Sequence, residues 1–304
     1  MAERHGMSLK AWGLLLILSG IWGGSFFFNA ISLRELPVLS TVFCRVALAA
    51  GFLLLILKLR GLRLDWQRYG ATYLVLGLLN NVLPFSLIVF GQQSISSGLA
   101  SILNAATPFS GIVIAHFALP DERMTLRKVV GVLIGLSGVA WMIGLSALQE
   151  IGDHLWAEVA VFGATVCYGM AGSFSKLRLE GVPALQSATG MLCASTVWLL
   201  LPTYFLDGLP EAMPSETVWG ALLGLSLLST GYAYLLFFRI LELAGPTNLL
   251  LVTLLVPVSA NLLGVALLGE SLSSEKASGM VLLALGLMIL DGRLWQAWRQ
   301  RAPS

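Results

Sequence analysis

The chain has 304 residues, 57% of them hydrophobic and only 11% charged, with a mean hydropathy of +0.85. A soluble globular domain carries roughly 25% charged residues, so this composition excludes one: too few polar side chains remain to cover a particle in water. With 18 Lys and Arg against 16 Asp and Glu the net charge is +2, which excludes the basic surface that a nucleic-acid partner needs.

A helix needs about 20 mostly apolar residues to cross the roughly 30 Å hydrocarbon layer, and ten stretches of the chain qualify. The first, 11–33, carries Trp22 and is longer than a signal-peptide core, so it is expected to be retained as a span. The second, 38–57, holds Arg45 about two turns in. In the third, 69–91, Asn80 and Asn81 precede Pro84, whose missing N–H frees a carbonyl about one turn earlier, near Asn80. An unpaired amide in hydrocarbon costs roughly 2–7 kcal/mol, so these two must face either a neighbouring helix or a polar solute, with Leu83 beside them as an apolar wall. The fourth, 97–119, places Asn104 and Thr107 ahead of Pro108 and ends near His116.

The fifth stretch, 128–147, contains Gly131, Gly135 and Gly138, and the tenth, 277–297, carries Gly279 and Gly286 next to Ser278. Small residues at these steps let helices approach closely, either within one chain or between two copies. The sixth, 155–177, has Glu158 near its start and Tyr168 at mid-span; the seventh is 184–206. The eighth, 217–241, supplies Thr230, Tyr232 and Tyr234, and the ninth, 246–268, sets Asn248 and Thr253 ahead of Pro257, repeating the pattern of the fourth. The loops are short, and no run shows the alternation of a membrane barrel, so the fold class is all-α integral membrane with ten transmembrane helices. Cys44, Cys167 and Cys193 lie in apolar runs, and no motif calls for a metal or cofactor.

Fifteen Lys and Arg fall in the segments on the N-terminal side of the membrane and two, Arg34 and Lys276, on the other, which puts both termini in the cytoplasm. Trp12, Trp66, Tyr69, Trp156, Trp219, Trp295 and Trp298 sit near span ends, where aromatic rings anchor at the headgroups.

The chain repeats itself. Ile21-Trp22-Gly23-Gly24 and Pro37 are answered by Cys167-Tyr168-Gly169-Met170 and Pro183 at an offset of 146, while Pro108, Glu122, Gly131 and Gly138 recur as Pro257, Glu270, Gly279 and Gly286 at offsets of 149 and 148. The halves are 1–147 and 148–304, and five spans in each, an odd number, make the second copy enter from the opposite side. Such a 5+5 inverted-topology repeat is a common plan of secondary transporters, with the substrate held at mid-membrane between the copies.

Trp22-Gly23-Gly24-Ser25, Pro37, Arg45, Gly245-Pro246-Thr247-Asn248, Pro257 and Gly269-Glu270-Ser271-Leu272 with Gly279 and Gly286 together resemble paired EamA domains of the drug/metabolite transporter superfamily. Within it the chain is most similar to bacterial inner-membrane exporters of amino acids, including aromatic ones. Met191 stands where Arg45 would repeat, and Asp121 beside Glu122 blurs the first glycine-glutamate signature. The resemblance implies a central cavity lined chiefly by spans 1, 3, 4, 6, 8 and 9. On these, the expected substrate-binding residues are Trp22, Asn80, Asn81, Leu83, Asn104, Thr107, Tyr168, Thr230, Tyr232, Tyr234, Asn248 and Thr253.

The expected function is facilitated export of neutral or aromatic amino acids by alternating access, since no central carboxylate is available to exchange protons. Export of drugs or nucleosides is the alternative within the superfamily. A membrane enzyme is disfavoured because His5, His116 and His154 fall in no catalytic or metal motif. A passive channel is disfavoured because polar residues cluster at mid-depth instead of forming a continuous stripe.

Overall fold

The computed structural model describes residues 7–95, 97–144, 151–208, 213–268 and 274–291. Every regular element within them is helical. In chain order these are α1 (Leu9–Ser32), α2 (Val38–Leu59), α3 (Trp66–Gly91), α4 (Ser97–Asn104 and Thr107–Ala118), α5 (Leu126–Ile143), α6 (Leu155–Arg178), α7 (Ala184–Asp207), α8 (Glu216–Leu249), α9 (Val252–Leu268) and α10 (Ser274–Asp291). Eight of the described helical segments, α1 to α8, are long and apolar enough to cross a membrane, so the chain is a multi-pass membrane protein. Glu270 with its flanking signature, Trp295, Trp298 and both chain ends lie outside the described residues.

Several helices depart from regular geometry where the sequence weakens them. Residues Leu78–Val82 of α3, just ahead of Pro84, form a π-helical turn, as do Gly224–Tyr232 of α8 and Thr203–Asp207 at the end of α7. A π turn inserts one residue into the ladder and leaves carbonyls available to other partners. The fourth helix breaks at Ala105–Ala106, directly ahead of Thr107 and Pro108, and α8 breaks at Gly245, whose φ of 78° suits a residue without Cβ. Where water is absent, such breaks require protein or a cavity beside them, and Ala105 and Gly245 are both buried.

The glycine stripes resolve to packing within one chain. A Cβ on Gly286 would lie 2.5 Å from the Gly135 nitrogen, and one on Gly138 would lie 2.6 Å from the Leu283 nitrogen, so α5 and α10 touch backbone to backbone. Gly131 faces Gly286 and Leu290 while Gly138 faces Gly279 and Leu283, so the two helices run antiparallel. The pair α2 and α7 is antiparallel as well: Ser40 at the start of α2 meets Asp207 at the end of α7, and Gln186 near the start of α7 reaches the Arg63 carbonyl beyond α2.

Polar ties gather at the two ends of the bundle. At one end the Glu35 carboxylate accepts from the Ser215 backbone N–H and hydroxyl, both at 2.7 Å, and Asp207 accepts from the Ser40 N–H at 2.6 Å and its hydroxyl at 2.9 Å. These carboxylates satisfy donors in the first turns of α8 and α2, where an anion is favoured. The opposite end is held by ion pairs, Lys176 to Asp121 at 2.6 Å and to Glu122 at 3.7 Å, and Lys128 to Glu122 at 3.4 Å.

Candidate functional site

A cavity lies among the helices, lined on one side by Trp22, Ser25, Phe26 and Asn29 of α1. Their spacing of three, four and seven residues places them on one helical face. Asn80, Phe85 and Ile88 of α3, Asn104 of α4 and Tyr168 of α6 continue the wall; Tyr234 and Phe237 of α8, Leu250, and Thr253 and Val256 of α9 close it. Arg45 of α2 completes the lining. All six helices implied by the family resemblance contribute, and α2 is an addition to them. The cavity volume is about 60 Å³, above the roughly 10–15 Å³ needed to admit a water.

The two π turns beside the cavity determine how its polar groups are used. As the sequence implies, Pro84 has no N–H to give the Asn80 carbonyl four residues back, and the Tyr234 hydroxyl sits 3.2 Å from that oxygen. That hydroxyl donates to Asn81 Oδ1 at 2.5 Å, and Asn81 Nδ2 donates to Ser195 Oγ at 2.7 Å. Asn81 therefore ties α3 to α8 and α7. In the other π turn the Ser229 carbonyl accepts from the Trp22 indole N–H at 3.1 Å, and Ser229 Oγ donates back to the Ile21 carbonyl at 3.1 Å. With its single N–H engaged, Trp22 lends the cavity an apolar ring, packed at 6.3 Å from Phe237. Thr230 donates to the Leu225 carbonyl at 2.7 Å and accepts from Arg45 Nε at 2.8 Å.

Three asparagines on the wall are left incomplete. Asn29 Nδ2 donates to Gln92 Oε1 and Asn80 Nδ2 contacts Met191 Sδ at 3.4 Å, yet the side-chain oxygens of Asn29, Asn80 and Asn104 are buried without any donor. A buried unsatisfied acceptor costs about 1–3 kcal/mol, and the other buried unpaired side-chain oxygens in the described residues are all hydroxyls. A hydroxyl can turn to find a weaker partner, whereas a carbonyl oxygen can only wait for a donor. All three residues line the one cavity.

Of the twelve residues expected from the sequence, Trp22, Asn80, Asn104, Tyr168, Tyr234 and Thr253 line this cavity. The other six do not. Asn81 and Thr230 are fully buried and engaged in the ties just described. Thr107 donates to the Asn104 carbonyl at the α4 break, and Asn248 Nδ2 donates to the Ala244 carbonyl at the α8 break, so each supports a kinked backbone. Leu83 and Tyr232 are 39% and 44% exposed on the outer surface. Of the residues missed, Ser25, Phe26 and Asn29 were legible from their spacing to Trp22, and Phe237 from lying three residues beyond Tyr234. Glu158 and His116 serve the backbone, accepting from the Gly152 and Met124 N–H groups.

The EamA-like transporter family model matches the chain twice, over residues 10–144 and 155–290. The chain is similar to the "Uncharacterized transporter YoaV" of Bacillus subtilis (strain 168), 27% identical over 88% of this chain and 92% of that one. It is also similar to the "Uncharacterized inner membrane transporter YedA" of Escherichia coli (strain K12), 26% identical over 97% and 95%. A solved crystal structure with a TM-score of 0.75 covers 96% of this chain and 99% of its own at 19% identity, a likeness of fold. Two matched segments spanning most of the sequence, on a bundle of membrane-crossing helices, make this chain a membrane transporter of the EamA-like transporter family.

Proposed function

We propose that the protein exports neutral and aromatic amino acids and related small metabolites across a bacterial inner membrane, by alternating access and without obligatory ion coupling. The observation that carries this reading is the set of three donorless asparagine oxygens, on Asn29, Asn80 and Asn104, around an aromatic-walled cavity. An ammonium group brings three donors and no acceptor, and the faces of Trp22, Phe26, Phe85 and Phe237 suit an apolar or aromatic side chain. A flat drug or nucleoside would use the same rings, but the unmet carbonyl oxygens favour a cationic amine. No carboxylate lines the cavity among the described residues, which favours downhill export over proton exchange.

In this reading α9 and α10 also cross, giving ten spans in two inverted halves, 1–147 and 148–304, with both termini cytoplasmic. The antiparallel pairing of α2 with α7 and of α5 with α10 supports it, because counterparts in an inverted repeat must run in opposite directions. The end bearing Lys128 and Lys176 would face the cytoplasm, and the end bearing Glu35 and Asp207 would face outward.

The test is flux of radiolabelled phenylalanine and other neutral amino acids in proteoliposomes, with and without a pH gradient. Saturable flux without a gradient is the expected result; absence of amino-acid flux, or flux only with a gradient, contradicts it.

A further inference from the structure

Arg45 brings a positive charge to the cavity wall, and among the described residues no acid lines that cavity opposite it. Its side chain is 5% exposed, and a guanidinium does not release its proton in a protein. A buried charge is strongly disfavoured unless a counter-charge and hydrogen bonds meet it. Here Nε–H donates to Thr230 Oγ1 at 2.8 Å, and Cζ lies 3.6 Å from the centre of the Phe85 ring, a cation–π contact on one face. Tyr168 and Tyr234 line the same cavity, and a phenol supplies no negative charge at neutral pH. The two terminal nitrogens meet no acceptor among the described residues. Because the Thr230 proton is already given to the Leu225 carbonyl, its oxygen can only accept, which fixes the Nε edge and leaves the Nη groups for the cavity.

The geometry points to Arg45 as the receptor for a carboxylate of the transported solute: a buried guanidinium held by Thr230 and Phe85 stands on the same cavity wall as the donorless oxygens of Asn29, Asn80 and Asn104. Planar guanidinium and planar carboxylate pair through two parallel hydrogen bonds, so an anion bound there would neutralise the guanidinium charge. Fixing a carboxylate at Arg45 and an ammonium at the asparagine oxygens selects a zwitterion, and so an α-amino acid, over an amine or organic cation of the same size. A solute lacking the carboxylate leaves the guanidinium unpaired and brings a like charge toward it. This deepens the amino-acid reading above and rests on it for the ammonium end only.

The test is calorimetric binding to the full chain in lipid nanodiscs, with four probes that share a phenyl ring: phenylalanine, 3-phenylpropionate, phenylalaninamide and 2-phenylethylamine. Phenylalanine is expected to bind about thirtyfold or more tightly than the two compounds without a carboxylate. Arg45→Gln is expected to abolish that preference, and Arg45→Lys to restore part of it, because an ammonium keeps the charge but not the fork. Should Arg45→Gln fail to insert, the wild-type ranking alone decides. Equal binding of phenylalanine and 2-phenylethylamine, no binding of either carboxylate, or a carboxylate preference that survives in Arg45→Gln overturns the proposal. If 3-phenylpropionate binds through Arg45 while phenylalanine is neither bound nor carried, the amino-acid reading fails and the carboxylate receptor stands.

Discussion

Arg45 and Met191 occupy matching places in the two halves of the sequence, 146 residues apart, and their surroundings match as well. Arg45 on α2 reaches Thr230 in the π turn of α8; Met191 on α7 meets Asn80 in the π turn of α3. The same crossing is thus made twice, once with a charge and once with a soft thioether. A duplication that kept the charge in both copies would have placed two guanidinium groups around one cavity, with twice the desolvation to offset. Keeping it in one puts the cation on one side of the cavity only, and under the proposal above that asymmetry orients the solute.

The largest effect is expected from removing that difference. Met191→Arg adds a second cation at a fully buried position, and should lower stability by roughly 3 kcal/mol or more, read as a fall in thermal midpoint in detergent. An unchanged midpoint would mean that the second site tolerates charge and that the asymmetry has no energetic basis. The reverse exchange, Arg45→Met, should leave the midpoint unchanged or raised, since an apolar side chain replaces a buried ion at little cost, while phenylalanine flux falls about tenfold or more. Lost stability with retained flux would make Arg45 a structural residue.

The adjacent amides sharpen the contrast within one π turn. Asn80→Leu should lower flux while insertion and stability are kept, because Asn80 lines the cavity and its side-chain oxygen has no partner to lose. Asn81→Leu should instead destabilise by about 1–3 kcal/mol, because it strips the partners of Tyr234 and Ser195. The smallest effect concerns the bundle end held by Glu35. The Ser215 hydroxyl, and then its backbone N–H, hold the Glu35 carboxyl below its ordinary pKa. A depressed carboxylate contributes stability above its unfolded value and loses it as pH falls through the folded one. The wild-type midpoint should therefore drop slightly more than that of Glu35→Gln on acidification below about pH 4; identical drops would remove Glu35 from the tie.

What the sequence made legible was local. Pro84 removes a donor wherever the chain goes, so the loss of the i+4 donor to the Asn80 carbonyl followed from the sequence alone, although the contact with Tyr234, 154 residues away, did not. Trp22 and Tyr168 were found as mid-span aromatics at repeated positions, and both line the cavity. Tyr232 and Tyr234 are two residues apart and so lie on opposite faces of a helix, a distinction that the sequence carried and that mid-span depth alone obscured. Thr230 and Asn81 looked like binding residues because they are polar at the right depth; only the crossing of α2, α7 and α8 shows that protein groups already occupy them. Arg45 was legible as a costly intramembrane charge, but its helix lies outside the expected lining, and only its length brings the guanidinium between α3 and α8 to the cavity.

A crystal structure of the full chain with L-phenylalanine bound tests the central claim most directly. The expected result is one molecule in the cavity with its carboxylate on Arg45, its ammonium among Asn29, Asn80 and Asn104, and its ring against the aromatic wall. Phenylalanine seated elsewhere, or lying with its ring at Arg45 and its carboxylate at the asparagines, would contradict it.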